Sequence, residues 1–249
     1  MKYSIAIVTG GNKGIGLGIT KLLLKNNYKV ITCGRSGFKD LEQIKGLDHI
    51  QGDITNYETH RNLVEKAINT YGKLDLYVNN VGISKWKPIE DINSEFLDTL
   101  FKTNIYSVFW GCKASQKYLQ ETNGSIINIS SIAGKRGSKN NSGYVSTKFA
   151  MNGITQSLSK ELGNKNIRVN AICPVLIRTN GLLKALSEKS APGHKNVDSF
   201  LETFKETQTA LNRLPSINEV AQMALFLASK NASAITGQCI NVDCGVFPQ

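Results

Sequence analysis

Seven short runs rich in β-branched residues recur along the chain, and helical periodicity fills the intervals between them. SIAIV (4–8), YKVIT (28–32), LDLYV (74–78), SIINI (125–129), IRVNAI (167–172) and CINV (239–242) stand out, with a weaker run, HIQG, beginning at His49. Amphipathic segments such as IGLGITKLLLKN and YETHRNLVEKAINTY lie between them. Strands that alternate with helices are joined by right-handed crossovers, which makes the strands parallel and covers both faces of the sheet. The expectation is an α/β fold: a doubly wound parallel sheet of about seven strands.

At 249 residues and 41% hydrophobic content, with no Pro/Gly/Ser-rich linker, the chain reads as one domain spanning 1–249. Only residues 180–212 break the rhythm, with two helical patterns joined at SAPGHKN and no strand. Their place between the sixth and seventh strands, near the carboxyl edge of the sheet, suggests a substrate-binding lid.

Several function classes are excluded early. The apolar start of the chain stops at glycines, and no stretch reaches the length of a membrane span, so a soluble, cytoplasmic protein with no membrane partner is expected. Five scattered cysteines and three histidines show neither Cys-x-x-Cys nor a metal-ligand spacing, so no metal is expected. The net charge of +11 is spread among interleaved acids, as in LSKELGNKNIR and FLETFKET, which argues against nucleic acid. A hydrolase elbow and a Walker lysine are both missing.

The first strand runs into TGGNKGIGLGI, with Gly10, Gly14 and Gly16 spaced to let backbone approach a pyrophosphate at the N-terminus of the next helix. Asn12, Lys13 and Ile15 belong to the same turn. After the second strand stands Arg35, followed by Ser36, where an acid would favour the ribose hydroxyl of NAD(H). An arginine there can pair with a 2′-phosphate, and Lys13 supplies a second cation, so NADP(H) is favoured over NAD(H). Asp53 can accept from an adenine amino group with Ile54 packing nearby, while the asparagines of YVNNVG, with Asn80 and Gly82 assigned to the cofactor, can brace loops or contact it.

SGYVSTK places Tyr144 and Lys148 one helical turn apart. An ammonium about 4 Å from a phenol favours phenolate by up to about 4 kcal/mol, which would tune Tyr144 toward neutral pH.

In order and spacing, TGGNKGIG, NNVG, the serines at 130–131, YVSTK and ITGQCINVDCG resemble the short-chain dehydrogenase/reductase family over nearly the whole chain. The glycine-loop wording is most similar to its 3-oxoacyl-carrier-protein reductases and NADPH-dependent carbonyl reductases. The resemblance implies a Rossmann-type fold and a catalytic tetrad of Asn104, Ser131, Tyr144 and Lys148. Tyr144 would protonate the alkoxide, Ser131 would donate to the substrate oxygen, and Asn104 would anchor a water leading from Lys148 to solvent. Ile177 and Thr179 would hold the nicotinamide carboxamide.

Three residues depart from the family pattern: Val81 where alanine is common, and Val175 and Cys244 where glycine is common. The partners implied are a small carbonyl or alcohol substrate, with an acyl thioester on an acidic carrier protein among the candidates, and a homo-oligomer. Arg136 and Lys165 are candidate carrier-facing cations, and Leu182, Leu183, Leu186, Phe200 and Phe204 form the apolar part of the lid. The competing readings are a non-catalytic NADP(H) sensor and an NAD-linked alcohol or sugar dehydrogenase.

Overall fold

The computed structural model describes residues 3–35 and 44–248. Its seven strands form one sheet in the order β3-β2-β1-β4-β5-β6-β7, every neighbouring pair parallel. The strands are β1 (Ser4–Thr9), β2 (Tyr28–Gly34), β3 (Leu47–Gln51), β4 (Leu76–Asn79), β5 (Ser125–Ile129), β6 (Arg168–Pro174) and β7 (Cys239–Val242). The expected doubly wound sheet is thus observed. Strands β2 and β6 run two residues past their apolar runs, because pairing with β3 and β7 continues through Gly34 and Pro174.

Alternation along the strands explains why the sheet is covered on both sides. Ile5 and Ile7 of β1 face one core with Leu63, Val108 and Met151, whereas Ala6 and Val8 face the other with Ile19, Val220 and Ala224. The first layer is made by α2 (Tyr57–Tyr71), α4 (Ser107–Gln120) and α5 (Ser142–Gly163), and the second by α1 (Gly14–Lys25) and α8 (Ile217–Ala228). Helix α3 (Ser94–Phe101) leads into α4 through a π-helical turn at Lys102–Tyr106. The short helix α6 (Asn180–Leu186) and α7 (Val197–Gln208) fill the excursion before α8.

Strand β1 lies between β2 and β4, so the chain leaves it in opposite directions on its two sides. That switch point opens a crevice beyond the carboxyl ends of the strands, where open α/β sheets bind ligands.

Among the described residues, no helix is long and apolar enough to cross a membrane.

Candidate active site

The crevice is a cleft of ≈ 980 Å³, with Lys13, Ile15 and Arg35 at one end and Ser131, Tyr144 and Lys148 along a wall. Asn80, Gly82, Ile177 and Thr179 also line it. Elements far apart in sequence converge there because each is a loop or helix start at a carboxyl strand end.

At the glycine turn, Gly10 has φ +66°, and an added Cβ would lie 2.7 Å from Val81 Cγ2. At Gly16 a Cβ would meet the Gly10 carbonyl and the Asn80 amide, so only a bare backbone fits this close crossing. Asn80 locks the crossing: its Nδ2 donates to the Thr9 carbonyl at 2.8 Å, and its N–H donates to Thr9 Oγ1 at 3.0 Å. No side chain caps the N-terminus of α1, and its first turn carries no acid. The free amide dipoles there suit an anion. These residues fit a dinucleotide pyrophosphate.

Lys13 and Arg35 are both exposed at this end of the cleft, and the amide of Asn12 packs against Gly34. Ser36 lies outside the described residues. Asp53 accepts from Thr55 N–H at 2.9 Å, which shapes the loop after β3, and Ile54 is buried beside it. Neither residue is among those lining the cleft. Beneath them the buried His60 ring bonds the Ile54 carbonyl through Nε2 at 2.8 Å and the Tyr77 hydroxyl through Nδ1 at 2.7 Å. Because the carbonyl can only accept, Nε2 carries the proton and Nδ1 accepts from the phenol.

At the other end, Tyr144 and Lys148 occupy the first turns of α5. Lys148 is buried, its Nζ donates to the Ile129 carbonyl at 2.8 Å, and it stands 5.7 Å from the centroid of the Tyr144 ring. Burial pushes the Lys148 ammonium down to about 8, with Cys173 opposing. Burial also pushes the Tyr144 phenol up to about 12; a hydrogen bond from Ser131 pulls it back, and Cys173 adds to the rise. The expectation that Lys148 tunes the phenol toward neutrality is therefore corrected. Desolvation dominates both groups because both are buried, and Lys148 is not among the groups that shift the phenol.

Ser131 Oγ accepts from Ala133 N–H at 3.1 Å and points toward the Pro174 carbonyl at 3.5 Å. Its neighbour Ser130 turns into the protein and donates to Asn152 Oδ1 at 2.7 Å. Asn104 is fully buried in the π-helical turn; its Oδ1 accepts from Ile83 N–H at 2.8 Å, and its Nδ2 donates to the Ile83 carbonyl at 2.9 Å and to Thr147 Oγ1 at 3.0 Å. The amide braces the loop after β4 against α5. A Cβ at Gly82 would lie 3.4 Å from Asn104 Oδ1 and 3.6 Å from Lys148 Nζ, so the missing side chain leaves a gap facing both.

Thr179 Oγ1 accepts from Leu182 N–H at 3.2 Å as the cap of α6, and Ile177 is buried nearby. Leu182, Leu186, Phe200 and Phe204 line the cleft, whereas Leu183 does not. Val175 is buried with Ile132 and Val246 against Phe204 and lines the cleft with Ser131. Cys244 has φ +56°, so the glycine usual there is replaced by a residue in left-handed backbone. Arg136 lines the cleft, but Lys165 lies beyond the far end of α5, about 30 Å from Tyr144, and donates to Gln116 at 3.1 Å. Lys165 is therefore no carrier-facing cation at this cleft.

Sequence reasoning missed Lys85 and Trp86, which line the cleft after β4, and Thr147, which meets Asn104. The loop's place at a carboxyl strand end was the available signal for the first two.

A family model described as enoyl-(acyl carrier protein) reductase matches residues 10–247. The chain belongs to the short-chain dehydrogenase/reductase family. This short-chain dehydrogenase/reductase is 36% identical to the 3-oxoacyl-[acyl-carrier-protein] reductase FabG of Chlamydia muridarum, over 97% of this chain and 96% of that protein. It is 33% identical to L-2,3-butanediol dehydrogenase of Corynebacterium glutamicum, covering 98% of each. Among solved structures it resembles ligand-free aldohexose dehydrogenase of Thermoplasma acidophilum, with TM-score 0.89 and 29% identity over 100% of this chain and 98% of that one. ElxO with NADP bound matches with TM-score 0.87 and 30% identity over 100% of both chains.

Proposed function

We propose that this short-chain dehydrogenase/reductase reduces a ketone or β-keto thioester to the alcohol with NADPH, reversibly, with Tyr144 as general acid. One observation carries the reading. Tyr144, Ser131 and Lys148 share a wall of the same cleft whose opposite end is the uncapped start of α1. Bound NADPH supplies the hydride.

In this reading the chain's own groups do the rest. Gly10, Gly14 and Gly16 would let the backbone approach the pyrophosphate, with Asn12, Lys13 and Ile15 around it, and Arg35 would pair with the 2′-phosphate. Asp53 and Ile54 would shape the loop after β3 beside the adenosine, Asn80 would brace the turn under the pyrophosphate, Gly82 would leave room beside Lys148, and Ile177 and Thr179 would hold the carboxamide. Ser131 donates to the substrate oxygen as charge develops, and Tyr144 delivers its proton there. With its phenol near 12, Tyr144 is fully protonated at neutral pH and loaded for reduction. Lys148 as ammonium stabilises the negative charge only as the proton leaves, although it does not shift the resting phenol. A water in the gap at Gly82, between Asn104 and Lys148, restores the proton from solvent.

The apolar wall of Val175, Leu182, Phe200 and Phe204 suits an aliphatic or acyl body, and the helices over 180–212 act as a lid. Arg136 and Lys139 at the mouth favour an anionic extension, consistent with a thioester carrier. The likeness to the butanediol and aldohexose dehydrogenases supports a second reading, oxidation of a small alcohol or sugar. Exposed Tyr106, Phe109 and Phe149 support self-association through α4 and α5.

The test is NADPH oxidation over a panel holding acetoacetyl thioesters, simple ketones and aldehydes, with NADH in parallel, and NADP⁺ reduction over diols and aldoses. Turnover of carbonyls with NADPH meets the expectation. Measurable NADPH binding with no turnover of any panel member in either direction overturns it.

A further inference from the structure

After β7 the segment Asp243–Phe247 turns back toward the lid, and its own hydrogen bonds fix its shape. The buried Asp243 carboxylate accepts from Gly245 N–H at 3.0 Å through Oδ1 and from Phe247 N–H at 2.9 Å through Oδ2. Asn241 Nδ2 donates to the Phe247 carbonyl at 2.7 Å and closes the turn from the strand side. Cys244 and Gly245 both have positive φ, +56° and +82°, which makes the reversal sharp.

The reversal sets this segment against the cleft wall in two ways. The Cys244 carbonyl accepts from Ala210 N–H at 2.9 Å and from Leu211 N–H at 3.2 Å, just beyond the end of α7. A Cβ at Gly245 would lie 2.6 Å from the Ala210 Cβ, so the glycine lets the two stretches approach closely. Beside this tie, Val246 is buried in a small cluster with Ile132 and Val175, packed against Leu176 and Phe204. Ile132, Val175, Leu176 and Phe204 all line the cleft, whereas Val246 does not. Val246 therefore stands behind the apolar wall and backs side chains that come from three separate stretches: the turn after β5, the end of β6, and α7.

We propose that Val246 is a specificity-determining positioning residue: acting through Phe204 and Val175, it sets how long an apolar chain the cleft accepts on its carbonyl substrate. The inference deepens the ketone-reduction reading and rests on it for the chemistry at Tyr144. Protein interiors are close-packed, so Phe204 holds one place only while Val246 fills the space behind it. One methylene in an apolar pocket is worth about 10–200-fold in discrimination, so a wall set back by a methyl group changes which chain fits. The bonds from Ala210 and Leu211 to Cys244 act in the same sense, because they hold the end of α7, and Phe204 lies about one turn before that end. This wall selects an unbranched apolar chain over a hydroxylated one, whose hydroxyls would lose their hydrogen bonds against it.

The test takes the full chain through a series of straight-chain methyl ketones, from butanone to decanone, with two readouts. Affinity is read from the fluorescence of Trp86, which lines the cleft, in a Trp110→Phe background that leaves it the sole indole. Turnover with NADPH is read as kcat/KM on the same ketones. Val246→Ala should move the preferred ketone to a longer chain, shifting the affinity ratio of neighbouring ketones by about 10-fold, and Val246→Ile should move it to a shorter one. In a Phe204→Ala background Val246→Ala should add no further shift. Val220→Ala, at a buried valine in the core on the α1 and α8 side of the sheet, should lower the melting temperature and leave the profile in place. If Val246→Ala does not fold, Val246→Ile decides alone. An unchanged profile in the folded Val246 variants, an equal shift in Val220→Ala, or no saturable binding of any ketone to the wild type overturns the proposal. Binding that shifts with Val246, with no ketone turned over, overturns the ketone-reduction reading alone.

Discussion

Lys148 Nζ stands over the Tyr144 ring, 5.7 Å from its centroid, while donating to the Ile129 carbonyl. This lysine pays for its position, since burial lowers its ammonium to about 8. The phenol, near 12, stays protonated across the same range. Carbonyl reduction should therefore hold steady below pH 8 and fall above it as Lys148 loses its charge. A profile of kcat against pH that is flat through that window would contradict the assignment.

The same burial has a stability cost with a definite sign. Between about 8 and the ordinary 10.5, the unfolded chain binds more protons than the folded one, so the Lys148 contribution to stability improves as pH rises through that window. Below it the cost is constant at about 3 kcal/mol. Lys148→Met should thus raise the melting temperature at neutral pH by a few degrees, after loss of the Ile129 hydrogen bond, while removing turnover. A lower melting temperature by calorimetry would show that the amine stabilises the fold.

Tyr144→Phe removes only the hydroxyl at the reacting end. Turnover should drop by roughly 10²–10⁴, the range for loss of a general acid. NADPH affinity, measured by fluorescence titration, should change little, and wild-type turnover in the variant would exclude Tyr144 as the acid.

Arg35 is exposed at the end of the cleft opposite Tyr144. Losing a charge-assisted bond to a 2′-phosphate costs about 1.5–3 kcal/mol, so Arg35→Asp should weaken NADPH by roughly 10–100-fold and leave NADH unharmed or improved. An unmoved ratio of the two affinities would make Arg35 a surface cation.

His60 is buried as a neutral ring between Ile54 and Tyr77, and burial lowers its basicity. A lowered value means that the unfolded state binds the extra proton, so this contribution to stability is complete above about 6.5 and is lost as pH falls below it. Urea unfolding across acid pH should show that slope in the wild type and a shallower one in His60→Gln. Equal slopes would locate the acid sensitivity elsewhere.

Much of the fold was legible because its signals are local. The β-branched runs marked all seven strands, and alternation such as Ile5 and Ile7 against Ala6 and Val8 is a property of neighbours in sequence. The glycine turn was legible for the same reason: a Cβ cannot be hidden, and Gly10 and Gly16 sit where one would collide. The four-residue spacing of Tyr144 and Lys148 placed them on one helix face.

The balance of forces at that face was not legible, because it depends on what surrounds it. Sequence spacing put an ammonium beside a phenol, but only the packing of α5 against β5 and β6 showed that desolvation outweighs their attraction. Asn104 is likewise a lone polar residue until the fold sets Ile83 and Thr147 around it. Val246 and Phe204, widely separated in the chain, become neighbours only when the segment after β7 folds back onto α7. Periodicity and backbone sterics act over a few residues and were determined by the sequence alone, whereas burial and charge sum over every element that packs nearby and were decided by the tertiary structure.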